Sequence, residues 1–315
     1  MDHDQTILFA ADFSARSRAA FDVACSLADE ATTRIVALHV VEPGPVPEPT
    51  VSFGELGLMD AEDESGLGYR ERLELRLRRY YVPHRPVELE YRVAVGTPAD
   101  VVLRTAEEVG ADLIVMGSHG RSGMRRLLAG SVAESVLRRS RYPVLALSSL
   151  DAPPTVGEPA VVLHPTDFSA LSEAATRLAR ALARDRGARL VLVHVVSGEV
   201  IPGSVSLTLM ALDNARDALE ALRLRLDGPD LKYPVDSRLC RGDAAGEILR
   251  VAEQEPCELI VMGSHGRSGF GRLLAGSVAE SVLRRSPCPV LIVKPPSPEP
   301  AASPAAPAIE AAATS

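Results

Sequence analysis

Two stretches of this 315-residue chain gather glycines and small hydroxyls at one spacing. They are Gly117-Ser-His-Gly120 followed by Gly130-Ser131, and Gly263-Ser-His-Gly266 followed by Gly276-Ser277. Glycine lets the backbone approach a ligand closely and adopt positive φ. A helix opening at Ser131 or Ser277 adds free N–H groups and the positive end of a helix dipole. Together these features suit an anion, phosphate above all. A second reading stands beside the first. Ser131-Val-Ala-Glu134 and Ser277-Val-Ala-Glu280 also fit a capping box, in which Ser and Glu satisfy the helix's own N–H groups. Capping accounts for the serines and leaves the spaced glycines unexplained.

Further residues recur in pairs. Asp12 and Asp167, in ADFS and TDFS, follow the first apolar run of each half. A carboxylate there either caps the next helix or accepts ribose hydroxyls. His39-Val40 and His194-Val195 end the second apolar run. The backbone edge at Val40 and Val195 suits an adenine ring, whereas a histidine at such a place commonly packs or caps. His119, His265, Arg121 and Arg267 stand inside the glycine stretches, where each either meets a phosphate or serves the backbone and solvent. The motifs GxxxxGK[ST], GxGxxG after the first strand and HExxH are absent, and no Ser-His-Asp order is evident.

The elements that must position these residues come twice. Residues 117–140 and 263–286 differ at two of 24 positions, Met124 against Phe270 and Arg125 against Gly271. A shift of 155 carries Asp12 onto Asp167 and His39 onto His194; a shift of 146 carries Gly96 onto Gly242 and Gly117 onto Gly263. A period of about 150 residues is that of a whole domain rather than of a solenoid unit. In the first copy the pattern predicts strands at 6–9, 34–40, 88–95, 113–116 and 144–147, with helices at 14–30, 65–81, 98–109 and 131–140. In the second it predicts strands at 161–163, 189–195, 235–240, 259–262 and 290–293, with helices at 169–186, 207–226, 244–255 and 277–286. Continuous apolar strands alternating with helices imply a parallel sheet covered on both faces. The expected fold is therefore α/β: two tandem five-stranded, doubly wound, Rossmann-like domains, with ligands beyond the carboxyl ends of the strands. The expected boundaries are 1–150 and 159–296, with a Pro/Gly linker at 151–158 and a Pro/Ala-rich disordered tail at 297–315. The Pro-rich stretch 42–64 reads as a mobile loop near the ligand end.

Composition narrows the partners. A net charge of −8 argues against a general nucleic-acid binder. No run reaches the roughly 18–20 apolar residues of a membrane span, and the N-terminus shows no signal-peptide pattern. The four cysteines form no CxxC and occupy no matching positions. They read as small core or surface residues in a reducing compartment, not as a disulfide frame or metal site. A cytoplasmic protein is expected.

The spacing G-x2-G-x9-G-[ST] after a strand, with the early TDFS and the strand-end HV, resembles the universal stress protein family, in its tandem form, over residues 5–149 and 159–294. The resemblance implies a five-stranded α/β fold and, in the nucleotide-binding branch, ATP with Mg²⁺ on its phosphates. It assigns Asp12 and Asp167 to the ribose, and the Val40 and Val195 backbone to adenine. It assigns Gly117, Gly120, Gly130, Ser131, Gly263, Gly266, Gly276 and Ser277 to the phosphates. The sequence departs from the more usual form at Ala10-Ala11, where His164-Pro165-Thr166 precedes Asp167 in the second copy. The resemblance also implies pairing through the last strands, here Val144–Leu147 with Val290–Val293 inside one chain, with a homodimer of whole chains beyond that. The implied role is a nucleotide-dependent stress-response protein with at most slow hydrolysis; the alternatives are a nucleotide-independent interaction scaffold and a true adenine-nucleotide hydrolase.

Overall fold

The computed structural model describes residues 5–29, 31–43, 68–118, 131–147, 159–196, 205–264 and 276–294, without the side chains of Ser131 and of 205–208. Most of the 42–64 stretch, the linker at 151–158 and the tail at 297–315 lie outside the described residues.

In chain order the first half comprises β1 (Gln5–Ala11), α1 (Ala15–Leu27), β2 (Thr33–Val41), α2 (Tyr69–Tyr80), β3 (Glu88–Val95), α3 (Pro98–Glu108), β4 (Leu113–Gly117), α4 (Ser131–Arg139) and β5 (Val144–Leu147). The second half comprises β6 (Val161–Pro165), α5 (Ala170–Arg186), β7 (Arg189–Val196), α6 (Val205–Leu226), β8 (Asp236–Arg241), α7 (Ala244–Gln254), β9 (Cys257–Gly263), α8 (Ser277–Arg285) and β10 (Val290–Val293). Every expected strand and helix is present. Helix α2 is described from Tyr69, where Gly68 is the N-cap and its N–H donates to Glu71 Oε2 at 2.9 Å.

The strands form one ten-stranded sheet in the order β3-β2-β1-β4-β5-β10-β9-β6-β7-β8. Within each half all pairs are parallel, as expected of a doubly wound unit. The halves meet at β5 and β10, which pair antiparallel with Leu145 opposite Leu291. All eight side chains of these two strands are buried. Each contributes on the order of 1.5–3 kcal/mol if Val, Leu or Ile. An edge that each half would otherwise expose is thereby covered. The outer strands β3 and β8 carry Glu88, Glu90 and Arg92, and Asp236, Arg238 and Arg241, whose charges discourage further pairing.

Alternation along each strand divides the core into two layers. Ile7 and Phe9 point to the layer formed with α1, α2, α5 and α6, whereas Leu8 points to the layer formed with α3, α4, α7 and α8. Both layers run through both halves. A buried lysine adds a polar tie across the seam: Lys294, just after β10, donates to the Leu137 carbonyl near the C-terminus of α4. Burial pulls its ammonium down to about 8.

The halves differ in one buried cluster. In the first, Phe9 and Phe21 pack at 5.3 Å between centroids. The shift of 155 places His164 and Thr176 at these positions. His164 Nδ1 lies 2.7 Å from the Val261 carbonyl, and its Nε2 lies 2.8 Å from Thr176 Oγ1. Burial holds the His164 imidazole down at about 4. The unfolded chain takes up a proton near pH 6.5 and the folded chain only near pH 4, so this residue costs stability as the pH falls through that window. His164→Leu is expected to flatten the stability-against-pH curve between about pH 4 and 6.5, measured by urea unfolding at a series of pH values.

Candidate functional site

The second half shows how the sequence builds a site. Strands β6, β7 and β9 end side by side, and beyond their carboxyl ends lies an open cleft of about 180 Å³. Asp167 stands at the end of β6, Val195 at the end of β7 and Gly263 at the end of β9. Ala244 and Ile248 of α7 form an apolar wall, and Gly276 and Ser277 bring the start of α8 to the rim. Six of the residues singled out from the sequence therefore surround one space: Asp167, His194, Val195, Gly263, Gly276 and Ser277. Gly266 lies outside the described residues. In the first half Asp12, Val40 and Gly117 hold the corresponding strand ends and Ser131 opens α4, while Gly120 and Gly130 lie outside the described residues, as do His119, His265, Arg121 and Arg267.

Neither aspartate is the helix cap. That role belongs to Ser14 and Ser169, whose hydroxyls accept the Ser17 and Ser172 N–H groups. Asp167 Oδ1 accepts from the Ser169 N–H at 3.1 Å and from its hydroxyl at 2.7 Å. Asp167 Oδ2 is buried without a hydrogen-bond partner among the described residues. A buried carboxylate oxygen with no donor is costly and calls for a partner. Between each aspartate and its serine stands a phenylalanine at φ 62°, Phe13 or Phe168. A bulky residue in the left-handed region is strained, so surrounding contacts must hold it. His39 and His194 pack against these rings at 4.7 and 4.5 Å. Their Nδ1 atoms lie 2.8 Å from the Ala11 carbonyl and 2.7 Å from the Thr166 carbonyl, which makes them supports of the strand ends.

The turn is also held from below, differently in each half. In the first, the Phe13 N–H donates to Tyr81 Oη at 2.8 Å, and that hydroxyl donates to Ser17 Oγ at 2.9 Å. In the second, Thr166 Oγ1 takes both parts, accepting from the Phe168 N–H at 3.2 Å and from Ser172 Oγ at 2.9 Å. These supports were not found from the sequence. The one available signal was the matched exchange of Ala11 for Thr166 and of Phe9 and Phe21 for His164 and Thr176.

At β7, hydrogen bonds on either side fix the direction of the backbone. The Val193 carbonyl accepts from Thr166 on the β6 side, and the Val196 carbonyl accepts from Gly242 on the β8 side. Strand alternation then turns the Val195 amide and carbonyl toward the β6 side, beyond the end of β6. Val195 thus offers an acceptor and a donor to a planar ring in the cleft.

At α8, the capping-box reading fails. The N-cap is Gly276, which has no side-chain capping bond, and Ser277 is the first helical residue. Glu280 pairs with Arg284 instead of reaching back to the cap. The glycine N–H donates to the Ser264 carbonyl at 2.7 Å, which closes the base of the glycine loop. The first-turn amides of α8 thus open on the cleft with the positive end of the helix dipole, a fit for an anion.

Gly117 has a packing role besides. A Cβ there would lie 3.3 Å from the Ser17 nitrogen and 3.4 Å from Arg16, so β4 ends against the first turn of α1. Among the described residues no group of three His, Cys, Asp or Glu could hold a metal ion. Nor is any helix among them long and apolar enough to cross a membrane.

The profile of the universal stress protein family matches residues 5–148 and 160–294. The chain belongs to that family. A universal stress protein of Mycobacterium tuberculosis is 31% identical over 276 residues, covering 86% of this chain and 92% of its own length. Another from Mycolicibacterium smegmatis is 29% identical over 294 residues, covering 92% and 97%. The crystal structure of a universal stress protein from Archaeoglobus fulgidus aligns with a TM-score of 0.58 at 22% identity, covering 92% of this chain and 98% of that one. The chain thus has the universal stress protein fold in tandem. Gly117→Ala is expected to lower stability by about 1–3 kcal/mol with no ligand present, the cost of crowding a closely packed contact, measured by urea unfolding.

Proposed function

We propose that this tandem universal stress protein binds ATP, one molecule in each half, and works in the cytoplasm as a nucleotide-dependent regulatory protein. On this reading residues 1–150 and 159–296 are the two binding domains, 151–158 the linker and 297–315 a disordered tail. The observation that carries it is the buried Oδ2 of Asp167, unpartnered among the described residues, in the same cleft as the uncapped start of α8.

The chemistry of the cleft suits each part of the nucleotide. Asp167 would accept ribose hydroxyls. The Val195 backbone would pair with the adenine edge, between the apolar wall of α7 and the strand ends. Gly263, Gly266, Gly276 and Ser277 would surround the phosphates with backbone N–H groups and a hydroxyl. Asp12, Val40, Gly117, Gly120, Gly130 and Ser131 would do the same in the first half. Mg²⁺, held by the phosphates, would neutralise part of their charge. Binding would stabilise the fold by mass action.

Calorimetric titration of nucleotide-stripped protein with ATP and Mg²⁺ tests the proposal. The expected stoichiometry is near two per chain. Asp167→Ala is expected to weaken one of the two sites at least tenfold, a loss of about 1.4 kcal/mol or more. Gly276→Val is expected to remove that site while leaving the fold intact by circular dichroism. Two full-affinity sites in the Gly276→Val chain would refute the assignment. Absence of binding by the wild-type chain would point to an interaction scaffold, and turnover well above about one per minute to a hydrolase.

A further inference from the structure

The N-terminal ends of β9 and β10, opposite the cleft, hold a second cluster of reactive groups. The sulfur atoms of Cys257 and Cys288 lie 3.2 Å apart, and both cysteines are free. They are 31 residues apart in the chain and form no recognisable motif. The fold brings them together in two ways. Strands β9 and β10 are parallel neighbours with Val290 opposite Ile260, so Cys288 falls level with the first residues of β9. Strand β9 also carries a bulge: Val161 pairs with Cys257 and Val162 with Leu259, leaving Glu258 as the extra residue. Glu258 is engaged by Arg186. Ser286 fixes the approach to β10, donating its hydroxyl to the Cys288 carbonyl at 2.7 Å and accepting the Cys288 N–H at 3.2 Å.

The first half has no such pair. The shift of 146 places Ala111 and Tyr142 at these positions, although Ser140 repeats the turn made by Ser286. The dithiol is therefore not needed to build the fold.

We propose that Cys257 and Cys288 are a reversible thiol-modification site, converted by a hydroperoxide into an intrachain disulfide. One thiolate attacks the peroxide oxygen, breaking the O–O bond and forming a sulfenic acid, while the leaving alkoxide or hydroxide takes up a proton. The second sulfur then attacks the sulfenic sulfur and forms the S–S bond, and hydroxide leaves as water with the remaining thiol proton. Two thiols and one hydroperoxide thus give one disulfide, one alcohol or water and one further water. The sulfurs need to close by only about 1 Å to reach the bonded distance. Cys257 is partly exposed, which gives a small oxidant access, whereas Cys288 is buried. The Cys257 S–H beside it favours the thiolate of Cys288 and pulls that thiol below its usual value against the opposing effect of burial, while the same contact and burial push the Cys257 thiol up. By contrast, burial pushes the Cys25 thiol up to about 11. The closed ring would run from 257 to 288 and enclose the whole glycine loop of the second half.

The test is graded oxidation of the full chain by hydrogen peroxide, followed by intact mass and non-reducing peptide mapping. The expected result is a loss of about 2 Da, a cross-linked peptide joining Cys257 to Cys288, and restoration by dithiothreitol. Cys25 and Cys240 should be lost at least tenfold more slowly, and the oxidised chain should melt several degrees higher because a long loop is closed. Cys257→Ser and Cys288→Ser are each expected to abolish the cross-link. Oxygen addition without a cross-link in the wild-type chain, or equal loss of all four thiols, would overturn the proposal. Neither readout involves ATP, so its failure is distinct from failure of the nucleotide reading.

Discussion

The pairing of β5 with β10 is the constraint on which the rest of the architecture rests. A five-stranded parallel sheet with helices on both faces still exposes an edge at its last strand, and in this chain that strand is short and wholly apolar. Left open, it would recruit another chain. Because two copies of the same unit stand in one polypeptide, each edge covers the other, and two cores merge into two continuous layers above and below a ten-stranded sheet. Lys294 adds a polar tie across the same seam.

On this common frame the two halves solve one local problem by different means. A strained phenylalanine must be held between the aspartate and the helix cap. The first half reaches in with Tyr81 from the end of α2, within an aromatic cluster of Phe9, Phe13 and Phe21. The second uses only Thr166 and Ser172, and fills the space below with the His164–Thr176 pair. The same turn thus stands on a large aromatic support in one half and on a small polar network in the other. Of the two supports, the second includes a wholly buried imidazole.

The order of strands and helices was legible because buried parallel strands read as unbroken apolar runs and the repeat supplied each element twice. Where a strand admits polar residues, the reading stopped short. Strand β6 continues through His164 and Pro165 because the imidazole finds the Val261 carbonyl and the Thr176 hydroxyl, partners that no local pattern shows. At α8, Gly276 and Ser277 are adjacent, and a pattern that suits either as the cap cannot choose between them. Backbone geometry does, by leaving the serine inside the first turn. The gathering of Asp167, Val195, Gly263, Gly276 and Ser277 followed from their places at strand ends. The contact of Tyr81 with Ser17 spans 64 residues, and that of Cys257 with Cys288 depends on a bulge, so neither was accessible before the fold.

The antiparallel seam has a directional consequence. Strands within each half point one way, and at β5 and β10 the two directions oppose. The carboxyl ends of the first half therefore look out from one end of the sheet and those of the second from the other. A flat surface laid against the molecule can seal one mouth but not both. Among the described residues helix α4 joins the two ends, opening beside the carboxyl ends of the first half's strands and ending on Lys294 of the opposite half.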